Sequence, residues 1–252
     1  MLALVVDDLL AEEAALDALL APLRPDQWDL PTPAAGWAVR DQVAHLAIAE
    51  DLATLAATDP DAFVAHLTAL MSDLAAVEGD HAAQARAHSP DDLLSWWRRA
   101  ARATVAAIRD RGEGERIAWI TGPMSATSFA TARLMETWAH GHDFAAALGV
   151  APAPTSRLRH IADLGVRTRG FSFRNRGLAV PAVEPRVELR GPDGDTWTWG
   201  PDGSPERVTG DALDFCLVVT QRRGVEATAL EVTGGGAAEW MAIAQSFAGP
   251  AT

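Results

Sequence analysis

The chain has 252 residues, and 34 acidic against 21 basic side chains give it a formal net charge of −13. That length buries a real core in one large domain or two small ones. An acidic chain repels phosphate backbones, which argues against nucleic acid as a partner, and a single cysteine excludes an intrachain disulfide or a Cys-rich metal knuckle.

The opening "MLALVVDDLLAEEAALD" has no basic leader, and Asp7 and Asp8 interrupt its apolar run. It reads as an amphipathic helix rather than a signal peptide. Over residues 2–22, Leu10, Ala14, Leu16, Leu19 and Leu20 recur at helical spacing. "RPDQWDLPTPAAGW" (24–37) holds three prolines and a glycine and predicts a loop. A second helix is expected from about Val39 to Thr58. "DPDAF" starts a third, with Asp59 as N-cap and Pro60 in the first helical position. "SPDDLLSWWRRAARATVAAIRD" starts a fourth, capped by Ser89, with Asp91 and Asp92 in its positive first turn; "RGEGE" ends it. A fifth runs from about Ser125 to Leu148 and stops at Gly149. No apolar run approaches the roughly 18–20 residues of a membrane span, so the expectation is a cytoplasmic protein with no membrane partner.

Composition changes at "VAPAPT" (150–155), and a helix from Thr155 to about Thr168 follows. "RVELR", "GPDGD" and "TWTWG" predict a hairpin over 186–200. "DALDFCLVVTQRR" (211–223) looks helical, "TALEVTG" predicts a strand and "GAAEWMAIAQSFAG" a final helix. The expected fold is α+β: a helical bundle over 1–152 and a smaller α+β domain over 153–252.

"METWAHGHD" (135–143) carries the candidate chemistry. Glu136 and His140 lie one turn apart on a face that continues to Phe129, Ala132, Phe144 and Leu148. A carboxylate and an imidazole on an apolar stripe are costly unless something pairs with them; a divalent metal would. His45, on a stripe with Asp41, Ile48, Ala49, Leu52 and Leu55, is the candidate third ligand. Three protein ligands leave positions open, as catalytic metal sites do. The same spacing also fits a surface pair beside a satisfied core histidine. His142 points to another side of the helix and reads as surface. Asp143 and Asp41 could orient a ligand histidine, with solvent exposure the alternative.

"GWAVRDQVAHLA" (36–47) and "METWAHGHD" resemble the two signature segments of the DinB-like metal-binding four-helix bundles, closest to the branch of mycothiol-dependent maleylpyruvate isomerase. The resemblance covers roughly residues 5–150. It implies His45, Glu136 and His140 as ligands of a divalent metal, zinc, and mycothiol as the thiol activated there. It further implies a transferase or isomerase acting on a small electrophilic substrate. "VTGDALDFCLVVTQRR" resembles the small sterol-carrier-like α+β domain that follows the bundle in that branch. One departure is Ala38, where the family commonly has a capping Ser or Thr; Asp41 or a loop group is left to cap. The partners expected are a small-molecule substrate, the thiol and a second copy of the chain as a homodimer. The competing reading is a non-catalytic module with a structural metal, or with an apolar ligand in the C-terminal domain.

Six arginines lie within "RLRHIADLGVRTRGFSFRNRG" (157–177), an anion clamp or salt-bridge partners of the acidic bundle. Arg222 and Arg223 are comparable, and Arg222 is the candidate catalytic arginine. Cys216 reads as a small buried hydrophobe. Trp96 and Trp97 read as packing residues, Trp37 and Trp138 as neighbours of the site. "TGGGAAEW" lacks the lysine of a phosphate loop.

Overall fold

The computed structural model describes residues 1–72, 83–112 and 114–249, so Glu113 of "RGEGE" lies outside the described residues. The chain divides into two compact units, Met1–Ala151 and Pro152–Thr252. The first is helical: α1 (Leu2–Leu20), α2 (Val39–Thr58), α3 (Pro60–Ser72), α4 (Pro90–Arg109) and α5 (Ala126–Leu148). Helix α2 packs chiefly on α4, and α1 on α5. A two-residue ribbon, β1 (Arg116–Ile117) with β2 (Met124–Ser125), leads into α5. A 3-10 turn at Pro25–Asp29 and a bridge between Pro31 and Ala38 give the predicted loop a fixed shape. Among the described residues no helix is long and apolar enough to cross a membrane.

Helix ends fall where side-chain chemistry puts them. Asp59 Oδ1 accepts the Ala62 N–H at 3.0 Å, and Ser89 Oγ accepts the Asp92 N–H at 3.2 Å. Gly149 closes α5 with φ of +66°, a conformation glycine adopts without strain. Helix α2 starts at Ala38, which has no side chain to cap with. Asp41 compensates in part: its Oδ2 accepts the Ala38 N–H at 2.8 Å, one half of a capping box. Ala38→Ser supplies the other half. It is expected to raise stability by about 0.5–1 kcal/mol, read as a higher urea midpoint at unchanged slope; an unmoved midpoint would count against it.

The buried faces are rotated from those expected. On α1 they are Leu2, Val5, Val6, Leu9, Glu13, Leu16 and Leu20, while Ala14 is exposed and Leu10 and Leu19 are half-buried. A carboxylate, Glu13, occupies a core position, and a reading that keeps charges outside turns the helix the wrong way. On α2 the core face holds Val43, Leu46, Ala47 and Glu50. The stripe of Asp41, His45, Ile48, Ala49, Leu52 and Leu55 is half-buried, the flank of the helix rather than its inner face. A flank position lets a side chain be held by packing and still be reached from outside.

The second unit is α+β: α6 (Leu158–Arg167), α7 (Arg169–Arg174), β3 (Arg186–Arg190), β4 (Thr196–Trp199), β5 (Arg207–Asp211), α8 (Ala212–Val219), β6 (Glu231–Thr233) and α9 (Gly235–Ile243). The predicted hairpin forms, with Leu189 opposite Trp197 and Gly194 at φ of +87° in its turn. The strand order is β4-β3-β5-β6, and β5 runs parallel to β3. Val187, Leu189, Trp197 and Val208 are buried alternate residues of three strands, and α8 packs on β3 and β5. Gly165 lets α6 and α8 close together; a Cβ there would lie 2.8 Å from Val219. The predicted helix at 211–223 ends early, at Val219. Gln221 takes φ of +59° and turns the chain, so Arg222 and Arg223 lie past the helix rather than in its last turn. The final helix likewise ends at Ile243, and Ser246 N–H donates to the Val219 carbonyl instead.

Candidate metal centre

His45 comes from α2, Glu136 and His140 from α5, and one ligand atom from each lies within 4.8 Å of the others. His45 Nε2 is 3.3 Å from Glu136 Oε1, and His140 Nε2 is 3.5 Å from the same oxygen. Side-chain exposures of 26% for His45, 23% for Glu136 and 11% for His140 leave the cluster open on one side.

The orientation of His140 is set by a chain of hydrogen bonds. The Thr32 hydroxyl donates to the Trp37 carbonyl at 2.8 Å and accepts from Gln42 Nε2 at 2.7 Å. Gln42 Oε1 is thereby turned toward His140 Nδ1, at 2.7 Å. An amide oxygen only accepts, so Nδ1 carries the hydrogen and Nε2 presents its lone pair toward Glu136. Sequence reasoning missed Gln42. Its signal was an amide one turn before His45, on the fully buried side of α2. Asp143 is buried, not solvent-exposed, with Oδ2 3.6 Å from the same Nδ1. Asp41 caps α2 and is not placed to orient a histidine by any hydrogen bond described. Trp37 meets His45 edge-on, ring centroids 5.3 Å apart. Trp138 packs on His142, which is outside the cluster. Trp97 is buried as a packing residue, while Trp96 Nε1 donates to Asp51 at 2.7 Å.

Burial alone would push the Glu136 carboxyl up. Hydrogen bonds donated by His140 and His45 when their facing nitrogens carry a proton, with the charge of Arg133, outweigh it, and the group is held well below the usual carboxylate range. An ionised carboxylate and an imidazole lone pair facing each other at 3.5 Å require a positive species between them, either a proton or a metal ion. Two imidazole nitrogens and one carboxylate oxygen are a donor set that fits zinc and other divalent transition metals.

Beneath this cluster lies a charge group that sequence reasoning did not find. Arg133 Nε donates to Glu50 Oε1 at 3.1 Å, with both side chains about fully buried, and Glu13 completes the group. Burial, with the nearby Glu50 charge, pushes the Glu13 carboxyl up to about 8, against opposing contributions from Arg133 and Arg102. Protonated Glu13 leaves one cation and one anion buried together. Because the folded-state pKa is raised, stability is fully present below the unfolded pKa of about 4.5 and is lost as pH rises through about 8. Glu13→Gln is therefore expected to be close to wild type near pH 5 and more stable than wild type at pH 8–9. Melting temperatures at the two pH values test this; parallel curves for the two proteins would refute it.

The other candidates lie in the second unit. Arg222 Nη1 donates to the Thr220 carbonyl at 2.9 Å, and Arg223 pairs with Asp214 at 3.0 Å. Arg167 pairs with Asp163 at 3.0 Å, Arg169 donates to the carbonyls of Pro181 and Val183, and Arg176 reaches Gln245 Oε1 at 3.2 Å. Cys216 is fully buried, and burial pushes its thiol up.

Residues 9–145 match the family described as the mycothiol maleylpyruvate isomerase N-terminal domain, and residues 181–231 match one described as wyosine base formation. The chain is 48% identical, over 245 residues, to uncharacterized proteins from two strains of Mycobacterium tuberculosis. The matched region spans 97% of this chain and 95% of those relatives. Its fold is similar to the crystal structure of the mycothiol-dependent maleylpyruvate isomerase, with a TM-score of 0.58, 15% identity and 92% of each chain covered. A histidine-to-alanine mutant of that enzyme gives a TM-score of 0.59 at 15% identity, over 92% of this chain and 93% of that one.

Proposed function

Because the chain belongs to the mycothiol maleylpyruvate isomerase N-terminal domain family, we propose that it is a metal-dependent enzyme. In this reading His45, Glu136 and His140 hold a divalent metal, zinc or another transition metal that the donor set fits, and the open side takes a low-molecular-weight thiol, mycothiol. When bound, such a metal lowers the pKa of a coordinated thiol, so that thiolate is present at neutral pH. Such a thiolate would add to an electrophilic carbon of a small unsaturated substrate, breaking a π bond whose electron pair takes up a proton. The adduct would then persist, a transfer, or lose that proton and expel the thiolate after rotation about the new single bond, which restores the double bond in isomerised form.

The residues of the chain have separate tasks. Glu136 supplies the negative charge that two neutral imidazoles lack. Gln42 holds His140 with Nε2 toward the cluster, and Trp37 covers one edge of His45.

The observation that carries the reading is the convergence of three ligand atoms within 4.8 Å on a half-exposed flank. It favours an enzyme over a module with a structural metal. A closed structural site needs a fourth protein ligand, and among the described residues the cluster has three. Elemental analysis of protein purified without a His tag is expected to find one metal per chain. Mycothiol is then expected to raise the melting temperature of the metal-loaded protein and not of the stripped protein. A metal-free preparation that cannot be reloaded, or equal shifts in both forms, would sink the proposal.

A further inference from the structure

The interior charge group stops one turn short of the candidate metal centre. Arg133 and Glu136 lie one turn apart on α5, and Arg133 is in electrostatic reach of Glu50, Glu136 and Glu13 at once. Glu13 faces charges from each helix packed around it: Glu50 from α2, Arg102 from α4 and Arg133 from α5. On its own helix Asp17, one turn further on, pairs with Arg98 at 2.6 Å. Glu13 is 8% exposed, and no hydrogen bond reaches its buried Oε1 among the described residues. With no donor there to hold an ionised form, the charge balance of the interior decides whether the group keeps its proton.

We infer that Glu13 is the buried counter-charge of the loaded centre: it is protonated while His45, Glu136 and His140 share a proton, and it ionises when a divalent metal replaces that proton. This rests on the metal reading above. A dication in place of a proton adds one positive charge beside Arg133, and added positive charge lowers the pKa of a carboxyl within its field. Between buried groups that field is screened little. The stripped chain holds the Glu13 proton up to about pH 8, so loading at neutral pH releases it. Linkage is reciprocal: what the metal does to the Glu13 proton, ionised Glu13 does to the metal. Each tenfold weakening of the proton tightens the metal about tenfold once the pH is above about 8, and changes nothing where Glu13 is protonated in both forms. Glu13 is not among the converging ligand atoms; it acts through charge alone.

Glu13→Gln tests the assignment, because glutamine copies the shape of the protonated acid and cannot ionise. Stripped full-length wild type and variant are titrated with zinc against a chromophoric chelator from pH 6 to pH 9. The two are expected to bind zinc equally at pH 6, and wild type about tenfold more tightly at pH 9. Calorimetry at pH 7.5, in two buffers of different ionisation enthalpy, should find more protons released per zinc by wild type than by Glu13→Gln. A purely structural role for Glu13 would change affinity by one factor at every pH. A ratio of affinities that stays constant from pH 6 to pH 9, or equal proton release by the two chains, overturns the counter-charge role and leaves the metal centre standing. A wild-type chain that binds no zinc at any pH overturns the metal reading and this inference with it.

Discussion

His45→Ala is expected to yield a folded protein that no longer retains metal through dialysis. Removing one of three ligands leaves only Glu136 and His140, one turn apart on a single helix, and no second element to close around an ion. The loss should exceed the 10–100-fold weakening that follows from disturbing a residue that merely orients a ligand. Gln42→Ala provides that comparison, because Gln42 touches only His140 within the cluster. The expected order of metal content after dialysis is wild type, then Gln42→Ala, then His45→Ala at background. His45 is half-exposed, so its removal should barely move the melting temperature of the stripped protein. One equivalent of metal in His45→Ala would remove His45 from the ligand set. Retention should also fall in acid, since protons compete with the metal for the same nitrogens.

Arg133→Met is expected to be the most destabilising of the substitutions considered. It leaves Glu50, about 1% exposed, without its cation and beside Glu13. Breaking a buried pair from one side costs about 3–5 kcal/mol, a fall in melting temperature on the order of ten degrees for a domain of this size. The double variant Arg133→Met/Glu50→Gln removes both charges and should recover much of that loss, because what is costly is the stranded carboxylate rather than the missing pair. A double variant no more stable than the single one would show that packing of the arginine stem, not charge, dominates.

Local chemistry made much of this fold legible. Asp59, Ser89 and Gly149 mark helix ends because caps are decided by neighbours in sequence. The hairpin at 186–199 was readable for the same reason: alternation and a turn are both short-range. Strand β5 was not. Its five residues show little alternation, and its partner β3 precedes β4 in the chain, so the pairing is fixed by residues some twenty positions away. The candidate ligands were legible as positions, since helical spacing alone aligns Glu136 with His140. Their surroundings were less so. Glu13, Glu50 and Arg133 sit in phase with Leu9 and Leu16, with Val43 and Ala57, and with Ala126 and His140 respectively. That phase was the available signal. It was masked by the rule that charges face water, which fails where three of them can satisfy one another inside.

The burial of Cys216 has a practical corollary for a protein read as handling thiols. Its sulfur is fully enclosed, and burial keeps it protonated. The folded chain therefore presents no reactive sulfhydryl to a chromogenic disulfide reagent such as Ellman's. Colour developed in aliquots of a native reaction mixture therefore counts the added small thiol alone, with no contribution from the protein. The same enclosure prevents the polypeptide from scavenging oxidised thiol as a mixed disulfide, so the small-molecule pool stays the sole redox-active sulfur in the assay.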